Sequence, residues 1–177
     1  MSWSENTHPA SEDDVVVGRV KDTHGWYGNM APYPVTYEKQ VYRTTEALFQ
    51  CMRVPDDEEV REIIRAERGP MQAKLAAQKY AARRTVEPLS EDDLENMRVC
   101  LRLKVEQHPF LRKWTLASGD RFIVEDCTRR QRGTGLFWGS ALIEGEWRGM
   151  NWLGVLWMEL RTEFQEQEAL FDTITGG

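Results

Sequence analysis

Glu46, Gln50 and Arg53 stand at positions i, i+4 and i+7 of the stretch TTEALFQCMR, residues 44–53. On an α-helix that spacing puts a carboxylate, an amide and a guanidinium along one face. Such a line of groups can hold a sugar phosphate and stabilise positive charge beside it. The plainer alternative is a first-turn glutamate favoured by the helix dipole, followed by a polar stripe that faces solvent. A second constellation runs from Arg129 to Asn151. Arg129, Arg130 and Arg132 cluster beside Gly133 and Gly135, ahead of Phe137-Trp138-Gly139 and of Trp147, Arg148 and Gly149. Guanidinium groups, glycines and indole faces suit a site that binds phosphate and stacks a heteroaromatic base. The same residues also make a solvated basic loop next to core tryptophans, and local pattern leaves both readings open.

The elements that must position these groups are mostly helical. Thr44 or Thr45 is a suitable N-cap for a helix carrying Glu46 in its first turn. DDEEVREIIRAER, closed before Gly69, predicts a second helix, and GPMQAKLAAQKYAARR a third with Pro70 near its start. Ser90 with Asp93 forms a variant capping box ahead of DLENMRVCLRLKVEQH, where Leu94, Met97, Leu101 and Val105 recur at helical spacing. PFLRKWTLA predicts a short helix, and Asn151 is placed to cap WLGVLWMELRTEFQEQEALF. Strand signals are fewer: VVVGRV, PVTYEKQVY as a strand or hairpin, and RFIVED. Residues 127–150 read as a glycine-rich irregular region. The expected architecture is one mainly α (α+β) domain over residues 15–172, with orthogonally arranged helices and small N-terminal strands. Residues 1–14, polar and poor in branched aliphatics, are expected to form a loose acidic tail.

Composition excludes several function classes. A net charge of −6 over 177 residues has the wrong sign for a duplex nucleic-acid binder. No apolar run approaches the roughly 20 residues of a membrane span, and the N-terminus lacks a secretory plan, so a cytoplasmic protein is expected. Cys51, Cys100 and Cys127 are scattered without paired spacing, and His8, His24 and His108 form no ligand pattern. Buried thiols, with no metal and no disulfide framework, are therefore expected.

Several stretches occur in an order that adds to this reading: GNM at 28–30, TTEALFQCMR at 44–53, GPMQAK at 69–74, FWG at 137–139 and NWLGVLWMELR at 151–161. The pieces T-x-E-x-x-F-Q, on Thr44, Glu46, Phe49 and Gln50, and N-x-L-G-x-x-W-M-x-x-R, on Asn151, Leu153, Gly154, Trp157, Met158 and Arg161, are the most specific. Together they resemble the YbiA-like or NADAR family of N-glycosidases over about residues 24 to 164. The resemblance implies a mainly helical domain that cleaves C–N glycosidic bonds without metal or organic cofactor. The implied substrates are phosphoribosylamino-pyrimidine intermediates of riboflavin synthesis, or ADP-ribose attached to guanine bases. It maps the family glutamate onto Glu46 as catalytic carboxylate. Trp26, Tyr27, Asn29 and Trp138 then become candidates to hold the leaving base. Arg53, Arg129, Arg130 and Arg132 become candidates for the phosphate. Gln50, Gly139 and Asn151 complete the candidate set through their motif positions, although capping is the leading role for Asn151.

Besides Trp157, which stands where the family usually has leucine, the sequence departs from the family pattern in three places. Gly135 stands where the family has an aspartate three residues before its tryptophan, and Glu125 or Asp126 are the candidate replacements. TVEPLSEDD follows KYAARR without the family tryptophan. Arg53 replaces the family lysine, and arginine stays protonated, so Lys74 becomes the candidate amine. These departures motivate a second expectation, a catalytically weakened protein that binds or sequesters a nucleotide or ADP-ribose.

Overall fold

A computed structural model describes residues 6–175. The elements follow the order β1 (Thr7–Pro9), β2 (Val15–Val17), β3 (Val35–Tyr37), β4 (Gln40–Tyr42), α1 (Thr45–Met52), α2 (Glu58–Ala66), α3 (Pro70–Lys79), α4 (Glu91–Gln107), α5 (Pro109–Leu116), β5 (Ile123–Glu125), α6 (Gly135–Trp138), β6 (Ala141–Ile143), β7 (Glu146–Arg148) and α7 (Trp152–Thr175). Helix outweighs strand, as the periodicity predicts. No helix among the described residues is long and apolar enough to cross a membrane. The chain divides into two compact units, Arg19–His108 and the segments that flank it.

In the Arg19–His108 unit, α1 packs against α2, α3 and α4. Local chemistry sets the helix starts. The Thr44 hydroxyl accepts from the Ala47 N–H at 3.3 Å, the Asp57 carboxylate from Val60 at 3.2 Å, and the Ser90 hydroxyl from Asp93 at 3.2 Å. β3 and β4 form a hairpin whose two turn residues, Glu38 and Lys39, both have positive φ, the conformation a two-residue hairpin loop demands. Val60, Ile64, Leu94, Met97 and Leu101 fill the core of this unit.

In the other unit, β2 pairs in parallel with β5, Val15 opposite Ile123, and α7 packs on β5. Close approach is possible because Gly154 has no side chain: a Cβ there would lie 2.1 Å from the Ile123 carbonyl oxygen. Leu153, Leu156, Trp157, Leu160 and Phe164 form the buried face of α7. Arg161 is also buried, its Nη1 donating to Ser118 Oγ and Arg121 O, both at 2.8 Å.

Two sequence expectations change here. The glycine-rich region of residues 127–150 contains α6 and the β6–β7 hairpin, to which β1 adds antiparallel. The loose tail expected over residues 1–14 falls partly on residues 1–5, outside the described residues, but residues 7–14 are tied down. His8 stacks on Phe122 at 3.7 Å, and Asp14 accepts from the Trp147 indole N–H at 2.8 Å. This segment is poor in aliphatics, but the edge of β7 supplies partners for its backbone.

Candidate active site

Within the Arg19–His108 unit, α1 is buried nearly all round. Glu46 is 6%, Gln50 3% and Arg53 8% exposed. The reading of this stripe as a solvated helix face is therefore overturned. The three groups form a line: Gln50 Nε2 donates to Glu46 Oε1 at 2.9 Å, and Arg53 Nη1 donates to Gln50 Oε1 at 3.5 Å. Among the described residues, Oε2 of Glu46 accepts no hydrogen bond. Arg53 is held by Asp93, which the sequence marked only as part of a capping box. Its Nε and Nη2 meet the two carboxylate oxygens of Asp93 at 2.7 and 2.6 Å, and Phe49 lies under the guanidinium at 4.4 Å. Arg53 was expected to hold phosphate, yet two of its nitrogens are committed to Asp93.

The backbone ahead of α1 fixes where Glu46 sits. The Glu46 N–H donates to Asn29 O at 3.1 Å, and the Thr45 hydroxyl donates to Asn29 Oδ1 at 3.0 Å. Asn29 Nδ2 approaches Met97 Sδ at 2.9 Å. The side chain expected to hold the leaving base thus anchors the start of α1. Trp26 and Tyr27 are buried and stacked on each other at 3.7 Å. Beneath this loop, fully buried Lys104 donates from Nζ to the carbonyls of Trp26 and Gly28 and sits 5.3 Å from the Tyr33 ring centroid. Burial pushes its amine down to about 7. Lys104 carries no signal in the sequence, because a lysine on an apolar helical face stands out only once the loop it supports is in place. Lys74 is half-buried on α3, which packs against α1.

All three cysteines are free and buried, as expected. Burial pushes the Cys51 thiol up to about 12 and Cys127 to about 11, and it raises Cys100, which also lies in the field of Glu46. None has the depressed pKa of a nucleophilic thiolate. The open cleft of about 450 Å3 lined by Val54, Asp56, Asp57, Glu58, Arg83 and Thr85 is acidic, and Asp57 and Glu59 hold Arg83, so it does not suit a phosphate.

In the other unit, Arg129, Arg130 and Arg132 are exposed, and Arg130 pairs with Glu125 at 3.3 Å. Trp138 is half-buried at the end of α6, with its ring edge-on to Phe137 at 5.1 Å. Gly139 is buried where the Glu125 carbonyl passes; a Cβ there would stand 2.3 Å from that oxygen. Gly135 is fixed in the same way, since a Cβ would lie 1.9 Å from Arg130 O. The backbone of this loop therefore leaves no room for the aspartate of the family pattern. Of the candidate replacements, Asp126 turns its carboxylate onto the Thr128 N–H at 2.8 Å, and Glu125 faces Arg130.

Asn151 does not serve as a side-chain cap. It adopts φ 52°, and its amide bridges β5, donating to Ile123 O at 2.8 Å and accepting from the Glu125 N–H at 3.0 Å. Both polar atoms of the side chain are thereby used within the protein.

Comparison with known proteins places this arrangement. The family model described as NADAR domain matches residues 17–165. N-glycosidase YbiA of Escherichia coli (strain K12) and of Shigella boydii serotype 4 are each 33% identical over 144 residues, covering 80% of this chain and 82% of the relative. The NMR structure of the E. coli protein YbiA aligns with a TM-score of 0.67 at 29% identity, covering 88% of both chains. By its sequence over most of its length and by its fold, the chain belongs to the NADAR domain family.

Proposed function

We propose that this protein hydrolyses the C–N bond between a phosphorylated ribose and a heteroaromatic base, with Glu46 as the carboxylate that stabilises the transition state. Membership of the NADAR family, with relatives named N-glycosidase, makes it a hydrolase of the N-glycosidase type acting on a small glycosylated molecule. Within that class the substrate is a phosphoribosylamino-pyrimidine or an ADP-ribosylated guanine. The observation that carries the reading is the buried Glu46 at the start of α1, with one oxygen held by Gln50 and the other without a protein donor among the described residues.

Breaking a ribosyl C–N bond develops oxocarbenium character on the sugar, and a carboxylate beside the anomeric carbon lowers the cost of that charge. As the bond breaks, its electron pair leaves with the base nitrogen. A water oxygen bonds to the anomeric carbon, and the water's proton ends on the departing base. Glu46 Oε2 orients that water, while Gln50 keeps the carboxylate from rotating. Water is the attacking nucleophile in this step; Lys74 is the candidate for the family amine, a role that a guanidinium at position 53 cannot take. In the other unit, the arginines at 129, 130 and 132 form an exposed cationic surface suited to an anion.

The test is a panel of ribosylated bases followed by mass spectrometry. Release of free base that is lost in Glu46→Gln supports the proposal, and unchanged release in that variant removes Glu46 from the chemistry. A second reading, a protein that binds the nucleotide without cleaving it, is favoured by Gly135, where the family aspartate has no room. Tight binding of the same panel without turnover by the wild type selects it.

A further inference from the structure

We propose that Asp93 is a positioning residue for Glu46, acting through Arg53 and Gln50. This inference rests on the reading of Glu46 as the catalytic carboxylate, and the sequence pattern gave Asp93 only a capping role.

Asp93 is 0% exposed, so its charge must be fully satisfied inside the protein. It receives a forked pair of hydrogen bonds from Arg53 and a further one from the Leu89 N–H at 2.8 Å. Its own N–H is held by Ser90 Oγ at 3.2 Å, so the start of α4 fixes the carboxylate in place. Two parallel bonds fix the guanidinium plane as well as its position. With Nε and Nη2 on Asp93, the remaining Nη1 faces Gln50.

The consequence follows from donor and acceptor chemistry. An arginine only donates, so the atom of the Gln50 amide that faces it has to be the carbonyl oxygen. The amide NH2 is then left to face Glu46, whose Oε1 accepts from it. A flipped amide would set donor against donor at one end and acceptor against acceptor at the other. Asp93 therefore holds Arg53, Arg53 sets the sense of the Gln50 amide, and the amide holds Glu46 Oε1 at 2.9 Å. Since Asp93 cancels the charge of Arg53, the chain transmits orientation to Glu46 and not a net positive charge.

The experiment compares wild type with Asp93→Asn, with the paired replacement Arg53→Met plus Asp93→Leu, and with Gln50→Ala. The paired replacement removes both buried charges together and so avoids the lone buried arginine that can unfold Asp93→Asn. In folded variants, kcat should fall about a hundredfold while KM stays close to wild type, as for a misplaced catalytic group. Adding Gln50→Ala to the paired replacement should cost nothing more, because both changes cut one chain of contacts. Additive losses, or a kcat that survives the paired replacement, overturn the proposal.

A wild type that releases no base from the panel contradicts the proposed function. The positioning claim is then decided by the side-chain NH2 signals of Gln50 in 15N-labelled protein. Those protons should shift and exchange with solvent faster in the paired replacement than in wild type, and unchanged signals overturn the claim.

Discussion

Along α1, Glu46, Gln50 and Arg53 are at most 8% exposed, and each is hydrogen-bonded within the protein. In the loop between β5 and α6, Arg129, Arg130 and Arg132 face solvent, and Arg130 shares a half-exposed pair with Glu125. Both regions carry residues able to bind a phosphorylated sugar, yet the fold uses them differently. Buried polar groups must satisfy one another, because an unpaired one costs more than its hydrogen bond returns. That requirement makes the α1 line rigid before any ligand arrives, as electrostatic stabilisation of a transition state requires. The loop arginines are exposed and screened by salt, so they suit attraction of an anion better than precise placement of a reacting atom.

The largest effect is expected from Glu46→Gln, which removes charge with little change in shape. Turnover should drop about 10²- to 10³-fold with the melting temperature and substrate affinity nearly unchanged. Equal turnover in variant and wild type would mean that preorganisation at α1 serves stability alone.

A smaller effect is expected at Asn151. Serine there cannot reach both Ile123 O and the Glu125 N–H, so Asn151→Ser should cost about 1–3 kcal/mol in urea unfolding. Ligand affinity measured by calorimetry should not move; a selective loss of affinity would return Asn151 to the binding set.

Lys104 gives a pH signature. Its folded amine titrates near 7, below the ordinary 10.5, so between these values the unfolded chain binds a proton that the folded chain has released. Stability from this group is therefore greatest at high pH and is lost as pH falls toward 7. The slope is at most about 1.4 kcal/mol per pH unit. Denaturant titrations across that window should show a rise in wild type that is absent in Lys104→Met.

The least change in stability is expected from replacing Arg129, Arg130 and Arg132 together by alanine, within about 0.5 kcal/mol per site. Affinity for a phosphorylated ligand should nevertheless fall, with a weaker salt dependence, while affinity for its dephosphorylated form holds. Equal losses for both forms would show that the loop is structural, and the contrast with α1 would narrow.

Local sequence set the longer helices and several of their starts, because Thr44, Asp57 and Ser90 act on backbone groups within three residues of themselves. It also determined the strands at Val15–Val17 and Ile123–Glu125, where β-branched side chains signal a pleated element locally, and the face of α1 that carries Glu46, Gln50 and Arg53. Tertiary structure alone decided whether that face meets water. It also decided that Arg53 is held by Asp93, forty residues away in sequence, and that Lys104 supports the loop before α1. The sheet of β1, β7 and β6 was missed because its strands lack the β-branched runs of β2 and β5, and β1 pairs with a strand far along the chain. Caps and periodicity are written within a few residues, whereas burial and long-range partners depend on which distant segments pack together. Asn151 shows the limit most clearly. Its position before a helix predicted a cap, but β5 passes close enough to take both ends of its amide.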